Sequence, residues 1–186
     1  NNQNVNGVQA YDKEVDALNQ HTKADKVYIV CSKEQLDENG SMKIFSMIDK
    51  LSAELSVASD NETRKRLLMR RAIAHSVLRD FEAAISDFTY YISLDDKNSL
   101  AYWQRAVCQA EMDEFNKAEG KGVLNIHSAE ADFSDAIRQN SNNAYIYYNR
   151  GNLHAGRNEL SKAIDDYTIA LRIDNRLAEA YYNRGI

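Results

Sequence analysis

Arginine and aspartate residues recur at matched positions through the second two thirds of the sequence. Three arginines are each followed by an aspartate after 16, 27 and 16 residues, in the pairs Arg71 and Asp87, Arg105 and Asp132, and Arg150 and Asp166. A guanidinium and a carboxylate that meet can form two parallel hydrogen bonds, and buried pairs of this kind fix the register of two elements. The spacing therefore predicts three structural ion pairs, within or between repeated units.

The remaining reactive side chains do not form a recognisable catalytic or metal-binding pattern. His75 and His154 occupy the same position in two related segments, on a helical face that is predicted to be interior. Cys31 and Cys108 lack the paired spacing of a zinc site. The run from Glu119 to Gly122 looks like part of a phosphate-binding loop but lacks the GxxxxGK spacing. The sequence predicts no catalytic residue, no metal and no cofactor.

The charge distribution argues against a nucleic-acid partner. The 186 residues carry a formal net charge of -5, and they include 23 Lys and Arg against 28 Asp and Glu. Residues 1–64 hold 7 basic and 11 acidic side chains, and residues 65–186 hold 16 and 17. Neither part has the basic excess that phosphate binding requires. No apolar run reaches the length of a membrane span, which predicts a soluble protein, cytoplasmic or exported.

The elements that would position these side chains are repeated. The sequence YYNRG at Tyr147–Gly151 recurs 34 residues later at Tyr181–Gly185. Related segments start at residues 65, 99, 144 and 178, with separations of 34, 45 and 34. The pattern predicts repeats at 65–98, 99–143 and 144–177, the beginning of another at 178–186, and an 11-residue insertion near 116–126 of the second. Because the sequence lacks an initial Met and stops within a repeat, we interpret it as an excerpt of a longer protein.

Each repeat is predicted to contain two amphipathic helices. Tyr147, Gly151 and His154 follow the i, i+4, i+7 spacing of one helical face. Asp80 and Asn158 are the predicted N-caps of the second helix in the first and third repeats. In the second repeat, residues 119–126 are predicted to form a loop between two extended helices.

This pattern resembles the tetratricopeptide repeat, a 34-residue helix-turn-helix family. The small positions of that family correspond to Ala72, Ala106, Gly151 and Gly185 in the first helix and to Ala84, Ala129 and Ala163 in the second. Its large position corresponds to Leu68, Tyr102, Tyr147 and Tyr181, whereas its helix-ending proline is replaced by Asp96, Ser141 and Asn175. The resemblance covers residues 65–186 and implies an all-α, right-handed solenoid that binds protein and lacks catalytic activity.

The resemblance also implies a binding surface on the concave wall, formed by the first helix of each repeat. The corresponding residues are Arg66, Met69, Ile73 and Ser76, then Leu100, Trp103, Val107 and Glu111, then Tyr145, Tyr148 and Asn152, and finally Glu179 and Tyr182, with Arg70 and Asn149 nearby. Tyrosine, tryptophan and asparagine offer rigid contact area and amide hydrogen bonds, which suit an extended peptide or a partner helix. Alternatively, some of these aromatic residues only stack between repeats.

Residues 1–64 lie outside the 34-residue register. They are predicted to form a mainly helical N-terminal cap, and a degenerate repeat is the alternative. A helix is expected from about Ser41 to Val57, followed by a capping box of Ser59 and Glu62. The segment KVYIVC at 26–31 is either a strand or the end of a helix.

Two functions are compatible with this organisation. The first is a noncatalytic module that binds a peptide segment or helix of another protein on the concave wall. The second is a structural spacer or assembly scaffold within a longer multi-repeat protein, in which an exposed terminal repeat permits self-association. An enzymatic function has no supporting group of residues.

Overall fold

The computed structural model describes residues 38–121 and 128–185, and every regular element in these two ranges is an α-helix. The helices are α1 (Glu38–Val57), α2 (Asn61–Val77), α3 (Phe81–Leu94), α4 (Ser99–Ala118), α5 (Ala129–Gln139), α6 (Ala144–Gly156), α7 (Leu160–Ile173) and α8 (Ala178–Arg184). The all-α prediction is therefore confirmed for this part of the chain. The strand-or-helix segment at 26–31 and residues 122–126 of the predicted loop lie outside the described residues.

The chain divides into two compact units between Asp96 and Lys97. The N-terminal unit contains α1 to α3, and the C-terminal unit contains α4 to α8. Within them, α2 pairs with α3, α4 with α5, and α6 with α7. The repeat boundaries remain a prediction. No helix in the described ranges is both long enough and apolar enough to cross a membrane.

In the N-terminal unit, α1 packs against α2. It begins at Glu38, slightly before the predicted Ser41, and ends at the predicted Val57. Ile44 and Leu51 are buried on its inner face. These side chains are seven residues apart, which is two helical turns, so both lie on the stripe that the hydrophobic effect drives inward.

The N-cap of α2 differs from the prediction by one residue. Asp60, rather than Ser59, has the extended backbone of a cap, and its Oδ1 accepts a hydrogen bond of 2.7 Å from the backbone N of Thr63. Because the helix begins at Asn61, Ser59 lies one residue too early to serve as the cap of a capping box with Glu62. The hydrogen bond from the Thr63 backbone lowers the pKa of the Asp60 carboxyl.

The lowered pKa of Asp60 makes α2 sensitive to acid. Its capping contribution is present above the unfolded pKa of roughly 4 and is lost as the pH falls through the lower folded value. We expect Asp60→Asn, which retains a capping oxygen, to weaken the thermal midpoint's dependence on pH below roughly pH 4. The measurement is thermal unfolding by circular dichroism across that range. An unchanged pH dependence relative to the native chain would contradict the assignment.

In the turns between first and second helices, the prediction of one N-cap is confirmed and the prediction of the other is wrong. Asp80 caps α3 and accepts from the backbone N of Ala83 at 3.4 Å. Asn158 instead has a left-handed backbone with φ 61°, and Glu159 is the residue before α7. Arg79 has the same φ of 61° immediately before Asp80. Asparagine tolerates this conformation because its short polar side chain can bond locally, so Asn158 serves the turn and not the cap.

The insertion in the second predicted repeat lengthens one helix and not the other. The first helix, α4, has 20 residues against 13 in α6. The second, α5, has 11 residues against 14 in α7. The prediction of two extended helices is therefore wrong for α5. The reason is local, since Glu111–Ala118 consists mainly of strong helix formers that continue α4.

The helices α6 and α7 lie close together at Gly151. A Cβ atom added there would lie 2.6 and 2.8 Å from two carbon atoms of the Tyr167 ring. That ring is buried, and its hydroxyl donates a 2.8 Å hydrogen bond to Asn152 Oδ1. The ring cannot move aside without losing this bond, so glycine is needed here for packing.

Gly151→Ala is expected to destabilise the C-terminal unit by about 1–2 kcal/mol. Overpacking costs about 1–3 kcal/mol, and the gain in helix propensity offsets up to about 1 kcal/mol. Gly185 is the matched control because it has the same repeat register and its added Cβ would meet only two backbone carbonyls at 3.5 Å. Urea unfolding should show a loss for Gly151→Ala alone. Equal effects at both glycines would refute the packing argument.

Candidate binding surface

Three arginine–aspartate pairs join the first and second helices of each pair. Each guanidinium uses Nε and Nη2 to reach both carboxylate oxygens, at 2.8 and 2.6 Å for Arg71 and Asp87, 2.7 and 2.7 Å for Arg105 and Asp132, and 2.8 and 2.7 Å for Arg150 and Asp166. The carboxylates are buried. The aspartate bonds raise the pKa of Arg71 and Arg150. All three pairs join the residues that the spacing predicts, and their carboxylates are occupied within the fold.

Two histidines make a second repeated contact. His75 Nδ1 lies 3.0 Å from Asp80 Oδ2, and His154 Nδ1 lies 2.7 Å from Glu159 Oε2. Each bond ties the end of a first helix to the residue before the second. Hydrogen bonds from His154 and Lys162 lower the pKa of Glu159. The sequence prediction placed both histidines on an interior face, and His154 is buried whereas His75 is half-buried. It did not predict their bonds to Asp80 and Glu159, although it did assign Asp80 as a cap.

One group of side chains near α7 has the chemistry of metal ligands. Potential ligand atoms of Glu130, His154 and Glu159 all lie within 4.8 Å of one another. Arg157 Nη1 lies 3.2 Å from Glu130, and Lys162 Nζ lies 3.1 Å from Glu159. Both carboxylates thus already have a cationic partner, and we interpret the group as an ion-pair network. The sequence did not predict it because the three residues lie in separate elements.

Besides Ser76, five apolar residues that were predicted to line the concave wall are buried. They are Met69, Ile73, Leu100, Trp103 and Val107, and Trp103 is only 1% exposed. These side chains expose little surface to a partner, and their contact with one stays a prediction. A helical register places a side chain on one face, but it does not show how deeply other elements cover that face. The hydrophobic effect favours covering large apolar side chains, and these five are covered.

The accessible part of the predicted wall is polar and aromatic. In the N-terminal unit, Arg66 is exposed and Arg70 is half-buried. In the C-terminal unit, the half-buried residues are Tyr145, Tyr148, Asn149 and Asn152, and Tyr182 is 73% exposed. Tyr145 and Tyr148 pack partly against the buried cluster between α6, α7 and α8. This leaves Tyr182 as the most accessible aromatic side chain of the predicted set.

Hydrogen bonds hold the amides and phenols of this surface in place. Asn152 Oδ1 accepts from the Tyr167 hydroxyl at 2.8 Å and from Asn183 Nδ2 at 2.9 Å. Asn183 Nδ2 also donates to the Tyr148 hydroxyl at 3.2 Å. The rings of Tyr148 and Tyr167 are tilted, with centroids 5.9 Å apart. Burial raises the pKa of Tyr167, so its hydroxyl remains a donor.

This network spans α6, α7 and α8. We define the Tyr/Asn surface as Tyr148, Asn152 and Asn183 of the network together with Tyr145 and Tyr182. Asn183 was absent from the predicted set. The sequence repeat could have predicted it, because Asn183 occupies in the second YYNRG the place that Asn149 occupies in the first. Asn149 itself is a weaker candidate, since its Nδ2 is buried and has no hydrogen-bond partner within residues 38–121 and 128–185.

Comparisons with known proteins find similarity to a tetratricopeptide repeat protein in sequence and to solved structures in fold. No protein-family profile matches the sequence. Tetratricopeptide repeat protein 6 of Homo sapiens is 31% identical over 128 aligned residues, which represent 57% of this chain and 25% of that protein. The chain therefore spans about a quarter of the length of this relative.

Solved structures share the fold at low sequence identity. A crystal structure of MamA has a TM-score of 0.64 and 20% identity, and the match covers 82% of this chain and 83% of MamA. YrrB, described as a TPR protein with an unusual peptide-binding site, has a TM-score of 0.62 and 14% identity, with coverages of 98% and 87%. A MamA fragment from Desulfovibrio magneticus RS-1 has a TM-score of 0.60. These likenesses establish the type of fold.

Proposed function

Because this chain has the fold of the solved TPR protein YrrB and is similar in sequence to a tetratricopeptide repeat (TPR) protein, we propose that it is a noncatalytic module that binds a peptide segment or helix of another protein. The repeats supply a rigid scaffold of paired helices, and interaction surfaces need such rigidity because ordering a flexible surface on binding costs free energy. The description of YrrB as a peptide-binding TPR protein is consistent with this class of function.

The observation that supports the proposal most is the Tyr/Asn surface of the C-terminal unit. Its phenols and amides are held by three hydrogen bonds before any partner arrives. Tyr182, the residue before Asn183 in α8, adds an exposed ring. Preorganised aromatic rings contribute contact area at small entropic cost, and side-chain amides can bond the backbone of an extended peptide. The surface therefore suits a peptide with an apolar or aromatic anchor residue.

The test is selection of a random peptide library displayed on phage against the purified chain. We expect the enriched peptides to bind the Tyr145→Ala/Tyr182→Ala variant about tenfold or more weakly, which corresponds to about 1.4 kcal/mol or more. Fluorescence anisotropy with the synthesised peptides gives the dissociation constants. Circular dichroism of each variant establishes that the helices are intact.

Tyr90→Ala provides the matched control, because Tyr90 is an exposed tyrosine of α3 in the N-terminal unit. Its affinity for the selected peptides should equal that of the native chain. If no peptide is enriched, or if the double variant binds as well as the control, the Tyr/Asn surface is not a peptide site. The spacer function would then be the better explanation.

A further inference from the structure

A carboxylate and an aromatic ring lie side by side at the edge of the Tyr/Asn surface. Glu179 and Tyr182 are three residues apart in α8, so their side chains are neighbours on one face of the helix. Both side chains are exposed, Tyr182 to 73%. Neither the Glu179 carboxylate nor the Tyr182 ring has a cationic partner among the residues that the structure describes. Since a carboxylate and the face of a ring both attract cations, the two together form a place for one.

This side of a first helix stays accessible when another helix follows. Tyr145 and Tyr148 of α6 lie 34 positions before Glu179 and Tyr182. They are half-buried, although α7 packs against α6. Tyr147 of the same helix is by contrast only 9% exposed. The accessibility of Glu179 and Tyr182 is therefore a property of their position in the repeat.

The chain shows twice how a tyrosine ring and a carboxylate hold one guanidinium. Arg105 lies 5.8 Å from the Tyr102 ring centroid and bonds both carboxylate oxygens of Asp132 at 2.7 Å. Arg150 likewise lies 5.7 Å from the centroid of a tyrosine ring and bonds both oxygens of Asp166. Arginine suits both partners, because its planar guanidinium stacks on a ring while its N–H groups bond a carboxylate.

We propose that the Tyr/Asn surface selects peptides in which an arginine accompanies the anchor residue, and that Glu179 and the Tyr182 ring bind its guanidinium. This inference rests on the proposed function, because it names the chemistry of the peptide that the same surface binds. The members of the Tyr/Asn surface are tyrosines and asparagines, which are uncharged at neutral pH. Glu179 therefore supplies the charge beside them, and an acidic peptide would meet repulsion there.

The test starts from the peptides that phage display selects against the purified chain. We expect arginine to be enriched in them relative to the unselected library. Each labelled peptide is then compared with a form in which citrulline replaces the arginine, because citrulline has nearly the same shape and no charge. Fluorescence anisotropy should show about fivefold weaker binding of the citrulline form. The affinity of the arginine form should also fall as salt is added.

Variants of the protein locate the charge that the arginine meets. Glu179→Gln should weaken binding of the arginine form about fivefold and have little effect on the citrulline form, since both changes remove the same interaction. Glu179→Lys should weaken the arginine form about tenfold or more, because repulsion replaces attraction. Glu82→Gln is the matched control: it removes an exposed glutamate of α3 in the N-terminal unit and should leave both affinities unchanged. Circular dichroism establishes that each variant keeps its helices.

The outcomes separate this inference from the proposed function. Suppose that the selected peptides lose affinity for Tyr145→Ala/Tyr182→Ala but bind Glu179→Lys as tightly as the native chain. The arginine inference is then overturned, and the peptide site stands. Enrichment of acidic peptides, or equal losses with Glu82→Gln and Glu179→Gln, would overturn the inference in the same way. If no peptide is enriched, both the inference and the peptide site are overturned.

Discussion

Replacing Arg105 with methionine is expected to destabilise the C-terminal unit by about 3–5 kcal/mol. Its side chain is 6% exposed and that of Asp132 is 4% exposed, and two hydrogen bonds of 2.7 Å join them. Removing the guanidinium leaves a carboxylate that is buried and without its cation. Breaking a buried pair in this way costs about 3–5 kcal/mol, because the remaining charge has lost both water and partner.

Two further variants determine whether the loss of stability comes from the unpaired carboxylate of Asp132. In Arg105→Met/Asp132→Leu both charges are absent, so much of the stability should return. Arg150→Met should cost less than Arg105→Met because the side chain of Arg150 is 21% exposed and water can reach its site. The measurement is urea unfolding of each variant. A double variant less stable than Arg105→Met would refute the explanation.

Trp103→Ala is expected to destabilise the protein by about 3–5 kcal/mol. It is not expected to weaken the affinity of the folded protein for peptides. Trp103 is among the largest fully buried side chains of the described residues. Truncation removes its buried apolar surface and leaves a cavity that the neighbouring side chains fill only in part. In the part of the chain that the structure describes, the indole Nε1 has no hydrogen-bond partner, so the expected loss is one of packing.

Chemical denaturation tests this expectation against Tyr182→Ala, which truncates an aromatic residue that is 73% exposed. Tyr182→Ala should change stability by less than about 0.5 kcal/mol. Where the urea concentration is low enough that both variants are folded, Trp103→Ala should bind the phage-selected peptides with the affinity of the native chain. A stable Trp103→Ala variant with reduced peptide affinity would show that this tryptophan belongs to the binding surface after all.

Features that depend on short-range patterns were predictable. The helical class follows from the i, i+4, i+7 spacing of residues such as Tyr147, Gly151 and His154, which any amphipathic helix requires. The arginine–aspartate pairs were visible because their spacing repeats when the insertion is subtracted. A spacing that recurs in three copies is stronger evidence for a structural contact than the same spacing seen once.

Details of single turns were harder to predict. Ser59 and Asp60 are adjacent, and both are good N-caps. The preference between them depends on where the backbone enters the helix. Similarly, Asn158 is typical of both an N-cap and a left-handed turn, and the structure assigns it to the turn with φ 61°.

The sequence by itself determined the repeat, the helix pairs and the charged partners, because these follow from periodicity along one chain. Only the tertiary structure decided which predicted wall residues are accessible: Trp103 is buried, whereas Tyr182 is exposed. It also brought Asn183 of α8 to Tyr148 and Asn152 of α6. Burial and such networks depend on the distance and depth of packing between elements, and register along a single helix contains neither quantity.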